Sequence, residues 1–210
     1  MFGIHDLGLF VVSGLLLNMM PGPDSLLIMT RSASQGARAG CVAAWGIGAG
    51  TFVHILAAAV GLSALLQTSA LAFGVVKYIG AAYILFLAYG LLKSKAAAAA
   101  VVVKAAPVPY AKVFAQGFLT NVLNPKVALF FLAFVPQFID AATPNKALAF
   151  IVLGCIFNLN GMLWCNALAW FTARASERIK LDRRVVTWLN RATGCLFVWL
   201  GVKLALSKNT

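Results

Sequence analysis

Acidic residues are scarce in this chain of 210 residues, which has 5 Asp and Glu against 17 Lys and Arg. Charged residues of either sign make up only 10% of the sequence, whereas 62% of it is hydrophobic and the mean hydropathy is +0.91. A soluble domain of this length cannot bury so much apolar surface. Runs of about 20 apolar residues can cross roughly 30 Å of hydrocarbon. The composition therefore predicts an all-α integral membrane protein with several spans.

Motifs for catalysis and for metal binding are also missing. The sequence has no HExxH, no paired carboxylates and no plausible Ser-His-Asp set, so we do not expect an enzyme. The cysteines form no CxxC pair, and we interpret them as small apolar core residues: Cys41, Cys155, Cys165 and Cys195. The sequence predicts no metal site, no disulfide framework and no cofactor.

Six hydrophobic runs predict six transmembrane helices in a single transmembrane domain covering residues 1–210. Their approximate bounds are 7–30, 40–66, 70–92, 113–136, 146–171 and 187–206. The longest connection, 93–112, contains the tract KAAAAAVVVKAAPVP, which we expect to extend a helix and to end in a loop at Pro107 and Pro109.

The basic residues predict the topology. They gather in the first, third and fifth connections: Arg31, Arg38, Lys93, Lys95, Lys104, Lys112, Arg174, Arg178, Lys180, Arg183 and Arg184. The second and fourth connections have none, and the tails have only Lys208. The positive-inside rule then places the three basic connections in the cytoplasm and both termini on the outer side of the membrane. We interpret the net charge of +12 as topology and contact with anionic lipid headgroups, and we do not expect a nucleic-acid partner.

Two ionisable residues lie deep inside predicted spans, where a charge is costly and marks a functional site by default. Asp24 is the only acid well within a hydrophobic run. Lys126 lies about 13 residues into the fourth run, roughly 20 Å from its cytoplasmic end. We expect the two side chains to meet, either directly as an ion pair or through a ligand.

The sequences around these two charges match each other. Gly22-Pro23-Asp24 and Asn124-Pro125-Lys126 each have the form of a helix cap, a proline at the first helical position and a charge at the second. Prolines remove backbone donors and clash with the preceding turn, so Pro21, Pro23 and Pro125 predict breaks in the first and fourth spans. The alternative is a pair of proline kinks with a buried salt bridge.

The two motifs also indicate an internal duplication. KYIGAAYILFL (77–87) is similar to RATGCLFVWLG (191–201), so the halves 1–92 and 113–210 match at two places. Three spans in each half require the halves to run in opposite directions. The prediction is two inverted three-helix repeats, and helices broken at equivalent positions in such repeats point to a transporter's binding site.

Weaker candidates lie in neighbouring spans, each with a structural alternative. We consider Asn121, Asn158 and Asn160 as further substrate-binding residues, although a helix–helix hydrogen bond explains each equally well. Asn158 and Asn160 are two residues apart, so at most one of them faces the site squarely. Gly46, Gly48 and Gly50 allow either a gating bend or close helix packing.

Several of these segments resemble the LysE/RhtB family of bacterial amino-acid exporters. They are PGPD (21–24), WGIGAG (45–50), AQGFLTNVLNPKVALFFLAFVPQFI (115–139) and RATGCLFVWLGVKLAL (191–206). The third connection departs from the family, whose members usually have a polar linker there.

The resemblance implies a secondary transporter that exports amino acids or close derivatives, driven by the proton-motive force and compatible with a homodimer. Neutral substrates such as threonine, homoserine or leucine are expected. Asp24 would face the ammonium of the substrate, and Lys126 with the helix start at Asn124 would face its carboxylate. Asp24 is also the only candidate acid for a proton-coupled step within the spans. A passive channel and a metal-ion exporter of similar topology are the alternatives.

Overall fold

The protein is almost entirely helical in a computed structural model that describes residues 2–62, 70–93, 106–140, 142–175 and 183–206. Within those residues there is no β-strand, only an isolated bridge between Ile4 and Ile139. The α-helices are α1 (Leu7–Met19), α2 (Pro23–Gln35), α3 (Ala37–Ala57), α4 (Ala70–Lys93), α5 (Tyr110–Val122), α6 (Pro125–Leu129), α7 (Lys146–Arg174) and α8 (Arg183–Leu206). Most of the Ala/Val tract and the centre of the fifth connection, including Arg178 and Lys180, lie outside the described residues.

Two helices continue in other helical forms. A π-helical turn, Ala58–Leu62, extends α3. After α6 the chain forms a π-helical segment, Phe130–Phe134, and then a 3₁₀ turn, Val135–Phe138. Hydrophobic periodicity does not distinguish these forms from an α-helix, so the sequence predicted one regular helix in each place.

Two helices are long and apolar enough to cross a membrane, Ala37–Gly61 and Lys146–Arg174. Two pairs are bent at short breaks: α1 and α2 by 55°, and α5 with the segment Pro125–Phe138 by 45°. Counting each bent pair as one span gives up to four candidate spans among the described residues. The predicted third and sixth spans coincide with α4 and α8, and the six-span arrangement stays a prediction.

The first and second predicted spans are separated by a tighter junction than expected. Helix α2 continues to Gln35, and α3 begins at Ala37. The single residue between them, Gly36, has φ +81°, in the left-handed region that favours glycine. This junction turns the chain so that α2 packs directly against α3.

Helix α3 lies at the centre of the larger packing unit, in contact with α2, α5 and α7. Helices α4 and α8 pack mainly on each other. The aromatic side chains of the segment after α6 are buried: Phe130, Phe131, Phe134 and Phe138. Cys41 and Cys165 are partly buried and pack against a hydrophobic core cluster, whereas Cys155 and Cys195 are exposed, so the interpretation as core residues was wrong for the latter two.

Arg31 also differs from its predicted role as a headgroup contact. It is only 8% exposed and donates to the Gln116 Oε1 at 2.9 Å and to the Ala106 carbonyl at 3.2 Å. Gln35, one turn further along α2, bonds both the N–H and the carbonyl of Val108. These contacts hold the segment before α5 against the end of α2.

Candidate functional site

Both proline motifs begin new helices, as the sequence predicts. Helix α1 ends at Met19 and α2 begins at Pro23, while α5 ends at Val122 and α6 begins at Pro125. At each break, the last carbonyl groups of one helix and the first N–H groups of the next lie outside the regular hydrogen-bond pattern of an α-helix. The negative end of one helix dipole therefore lies beside the positive end of another.

Lys126 lies in the first turn of α6 and reaches across to the end of α1. Its Nζ donates hydrogen bonds to the Leu17 carbonyl at 3.2 Å and to the Met20 carbonyl at 3.1 Å. These are carbonyls that the break at Pro21 frees, and a cation is favoured beside them. A Cβ atom at Gly22 would lie 3.4 Å from the same Nζ, so a glycine at this position leaves room for the ammonium group.

Asp24 lies in the first turn of α2, where the helix dipole favours an anion. Its Oδ2 accepts a hydrogen bond from Asn121 Nδ2 at 2.9 Å and another from Asn124 Nδ2 at 3.1 Å. Its Oδ1 is buried and has no hydrogen-bond partner among the described residues. Because a buried carboxylate oxygen without a donor is costly, this atom calls for a functional explanation.

Asn124 connects the two charged residues. Its side-chain oxygen caps α6 by accepting from the Lys126 N–H at 3.0 Å, and its amide nitrogen donates to Asp24. Asn121 is 2% exposed, and its side-chain oxygen accepts from Thr51 Oγ1 at 3.3 Å. His54 Nε2 lies 3.0 Å from the Asn121 carbonyl. Helix α3 therefore holds Asn121 in the orientation that points its amide at Asp24.

We predicted that Asp24 and Lys126 meet either as a direct ion pair or through a ligand, and the direct ion pair is absent. Among the described residues, the ion pairs closer than 4.0 Å do not include one between these two side chains. Each charge instead binds groups of the other broken pair: carbonyls at the end of α1 for Lys126, and asparagine amides for Asp24 Oδ2. The local sequence could not show this, because those partners depend on how the two broken helices cross. Contact through a ligand stays a prediction.

Asp24 and Lys126 nevertheless line the same cavity, which has a volume of about 30 Å³. Asn121, Asn158 and Gly48 also line it. Asn158 donates to the Gly48 carbonyl at 3.3 Å, whereas Asn160 is not among the residues that line the cavity. This difference agrees with the expectation that at most one of the two asparagines faces the site.

Of the three glycines in α3, two lie where α5 packs closely and the third lines the cavity. A Cβ at Gly46 would lie 2.9 Å from the backbone nitrogen of Phe118, and one at Gly50 would lie 2.8 Å from the Phe118 carbonyl. Both glycines therefore allow α5 to approach closely. Gly48 faces α7, where a Cβ would lie 2.5 Å from Met162 Sδ.

The sequence missed several residues that line the cavity, among them Asn18, Ser25, Thr51, Met162 and Cys165. Asn18 Nδ2 is buried and has no hydrogen-bond partner in the described part of the chain. A signal for Asn18 was present, because it is a polar residue in an apolar helix one turn before the break. No comparable signal marks Met162 or Cys165, which only the packing of α7 brings to the site.

The profile of LysE type translocators matches residues 15–208, a range that includes both broken helices and the cavity. The chain belongs to this family. It is thus a transporter rather than an enzyme, in agreement with the resemblance of its PGPD and NPK segments.

This chain is similar over nearly its whole length to an uncharacterized membrane protein and to leucine efflux proteins. An uncharacterized membrane protein of Pseudomonas aeruginosa is 33% identical over 97% of this chain and 96% of its own length. The leucine efflux proteins of Salmonella typhimurium and of an Enterobacter species are each 28% identical over 97% of this chain, with 96% and 97% of their own lengths covered. No solved structure matches.

Proposed function

We propose that this protein is a secondary transporter that exports neutral amino acids, with leucine-like or threonine-like side chains, across the bacterial inner membrane. The observation that carries the proposal is the placement of Asp24 and Lys126 at the walls of one cavity, each on the first turn of a helix that starts within a broken pair. The names of the leucine efflux relatives support the substrate class.

Asp24 and Lys126 each have a hydrogen-bonding atom that no described residue of the protein uses, and a zwitterion can bind to both. Asp24 Oδ1 has no donor in the described residues, so it can accept a hydrogen bond from the substrate ammonium. A lysine ammonium has three N–H donors, and the carbonyls of Leu17 and Met20 take two of those on Lys126. The third donor and the amide of Asn18 can bind the substrate carboxylate.

Charge balance favours the same ligand. One anion and one cation at a single cavity fit a molecule that carries both charges better than they fit a lone ion. The cavity volume of about 30 Å³ is room for only about two or three water molecules, each of which needs about 10–15 Å³ on this measure, so an amino acid requires the helices to separate. Transport would then couple substrate binding to this rearrangement.

We propose six spans for the whole domain, as inverted halves 1–92 and 113–210, with the basic connections in the cytoplasm and both termini outside. The similar bends of the two broken pairs, 55° and 45°, support this arrangement. So do the packing contacts, because α3 contacts α5 and its counterpart α7 contacts α1. The family resemblance is compatible with a homodimer in surrounding lipid.

Proton coupling through Asp24 is part of the proposal. Replacing Asp24 with Asn keeps the size and one acceptor but removes the titrating group. We expect Asp24→Asn to export substrate without responding to a pH gradient, measured as efflux from proteoliposomes with and without that gradient. Efflux by Asp24→Asn that keeps its full dependence on the gradient would exclude Asp24 as the coupling group.

The activity itself is tested by efflux from proteoliposomes preloaded with a panel of amino acids, comparing the wild type with Lys126→Ala. We expect the wild type to export neutral amino acids with saturation, and Lys126→Ala to lose at least about 90% of that rate, since a charged hydrogen bond contributes roughly 1.5–3 kcal/mol. Lys146→Ala is the matched control, because Lys146 also begins a helix but bonds only the Thr143 carbonyl at 3.5 Å.

The alternatives predict different results in the same preparation. A passive channel would give conductance that does not saturate, and a metal-ion exporter would move divalent cations but no amino acid. Amino-acid efflux that Lys126→Ala leaves unchanged would contradict the proposed site.

A further inference from the structure

A second cavity of about 20 Å³ lies on the other side of Lys126 from the candidate site. It is enclosed by α1, α4, α8 and the π-helical segment after α6. Its walls are almost wholly apolar, with Ile84, Phe130, Phe134 and Phe197 among them. Leu17 and Lys126 line both cavities, so these two side chains form the wall between a polar chamber and an apolar one.

The wall itself is built from α1 and α6. Leu17 is 3% exposed, and its carbonyl is one of the two that accept from Lys126 Nζ. Ser13 lies one helical turn before Leu17 on the same face of α1 and lines the apolar cavity. A change of rotamer at Leu17 would join the two chambers without disturbing the hydrogen bonds of Lys126, which use the Leu17 backbone.

The first cavity, at about 30 Å³, has little space for a side chain once the two ends of a zwitterion are bound. Its walls are mixed: Thr51 and Asn158 line it with polar groups, and Ile47 and Phe157 line it with apolar ones. Met162 closes it against α3, where its sulfur would lie 2.5 Å from a Cβ at Gly48. A carboxylate bound to Lys126, however, lies at the wall, so the adjoining apolar cavity is the nearest place for the rest of the molecule.

Part of the backbone that lines the apolar cavity is π-helical rather than α-helical. Phe130 and Phe134, which line the apolar cavity, are the first and last residues of the π-helical segment. Single π-helical turns are rare and are frequent at functional sites. Here the segment follows directly from the helix that carries Lys126.

We propose that the apolar cavity is the subsite for the substrate side chain, and that Leu17 is the specificity-determining residue that limits its size. The inference rests on the proposed function, since it assumes a zwitterion held by Asp24 and Lys126. It adds a substrate class: amino acids with aliphatic side chains, which bury their methylene groups among Ile84, Phe130 and Phe197.

The test is exchange of radiolabelled amino acids by purified protein in proteoliposomes, with leucine, phenylalanine and alanine measured separately. Leu17→Ala removes part of the wall, and we expect the phenylalanine-to-leucine rate ratio to rise by about tenfold. Ser13→Leu fills the cavity instead, and we expect the leucine-to-alanine ratio to fall by about tenfold, with alanine exchange retained. Leu15→Ala is the control, because Leu15 lies on the same helix but is exposed and lines neither cavity.

Opposite changes in selectivity by the two variants would support the subsite. Rates that fall equally for all three substrates, or ratios that stay at the wild-type values, would overturn it and leave the apolar cavity as packing space or an acyl-chain site. If Leu17→Ala does not fold, the leucine-to-alanine ratio of Ser13→Leu decides. A wild-type protein that exchanges no amino acid would overturn the proposed function itself, which is a different result from unselective variants of an active transporter.

Discussion

Each buried charge of the site is stabilised by the end of a helix rather than by the other charge. Lys126 binds carbonyls at the end of α1, and Asp24, in the first turn of α2, accepts from the amides of Asn121 in α5 and Asn124 at the start of α6. This arrangement leaves both charges available to a ligand. If Asp24 and Lys126 formed a direct ion pair, that pair would have to be broken before a zwitterion could bind. Breaking a buried ion pair is costly because it leaves uncompensated charges, and the observed geometry avoids this cost.

Asn124 provides a test at the scale of a single residue, because its two roles can be separated. Asn124→Asp keeps the oxygen that caps α6 but replaces the amide that donates to Asp24 with a second negative charge. We expect Asn124→Asp to lose transport by at least about tenfold, the effect of one hydrogen bond to a charged group. Asn124→Ala should lose transport and also about 0.5–2 kcal/mol of stability, the usual contribution of a helix cap.

Asn145→Ala is the control for the cap. Asn145 caps α7 through the same contact, its side-chain oxygen accepting from the Leu148 N–H at 3.1 Å, but it lies away from the cavity. Thermal unfolding in detergent and leucine exchange measure the two effects. Normal exchange by Asn124→Asp would show that the contact with Asp24 has no role in transport.

At the scale of helices, the close approach of α3 and α5 positions Asn121 beside Asp24. Gly46→Ala would press a Cβ against the backbone of Phe114 and Phe118, which cannot move aside as a flexible side chain can. We expect a loss of about 1–3 kcal/mol in stability, as is typical of overpacking. Thermal unfolding measures this change, and transport should fall with it because Asn121 shifts.

Gly90→Ala is the matched control on α4, since no atom of the described residues lies within 4 Å of a Cβ built at Gly90. Alanine there should be neutral or should stabilise the helix by about 0.5–1 kcal/mol. Equal unfolding temperatures for Gly46→Ala and the wild type would show that the two helices do not need the glycine.

The sequence predicted the breaks in α1–α2 and α5–α6 because the effect of proline on a helix is local. It also brought Asp24, Lys126, Asn121 and Asn158 together as candidates, since each is a polar group in an apolar run. It did not predict the hydrogen-bond partners of Lys126. These are backbone carbonyls of another helix, and the sequence does not reveal them because every residue has a backbone carbonyl. The π-helical segments and the role of Met162 depend likewise on packing between distant parts of the chain.

For the molecule as a whole, the family establishes a transporter, and our proposal for its substrate rests on the cavity. The two broken pairs place opposite charges around one chamber, and the α4–α8 pair closes an apolar space beside it. A substrate with two charged ends and an apolar side chain fits both features. The central claim is therefore that both ends of a zwitterion are recognised at once.

The most direct measurement is competition with radiolabelled leucine exchange in proteoliposomes by leucinamide, which lacks the carboxylate, and by 4-methylpentanoate, which lacks the ammonium. We predict that unlabelled leucine competes at least about tenfold better than either analogue in the wild type, since each loses a hydrogen bond to a charged group. In Lys126→Ala, the advantage of leucine over leucinamide should disappear. Competition by leucinamide or 4-methylpentanoate as strong as that by leucine would contradict the account.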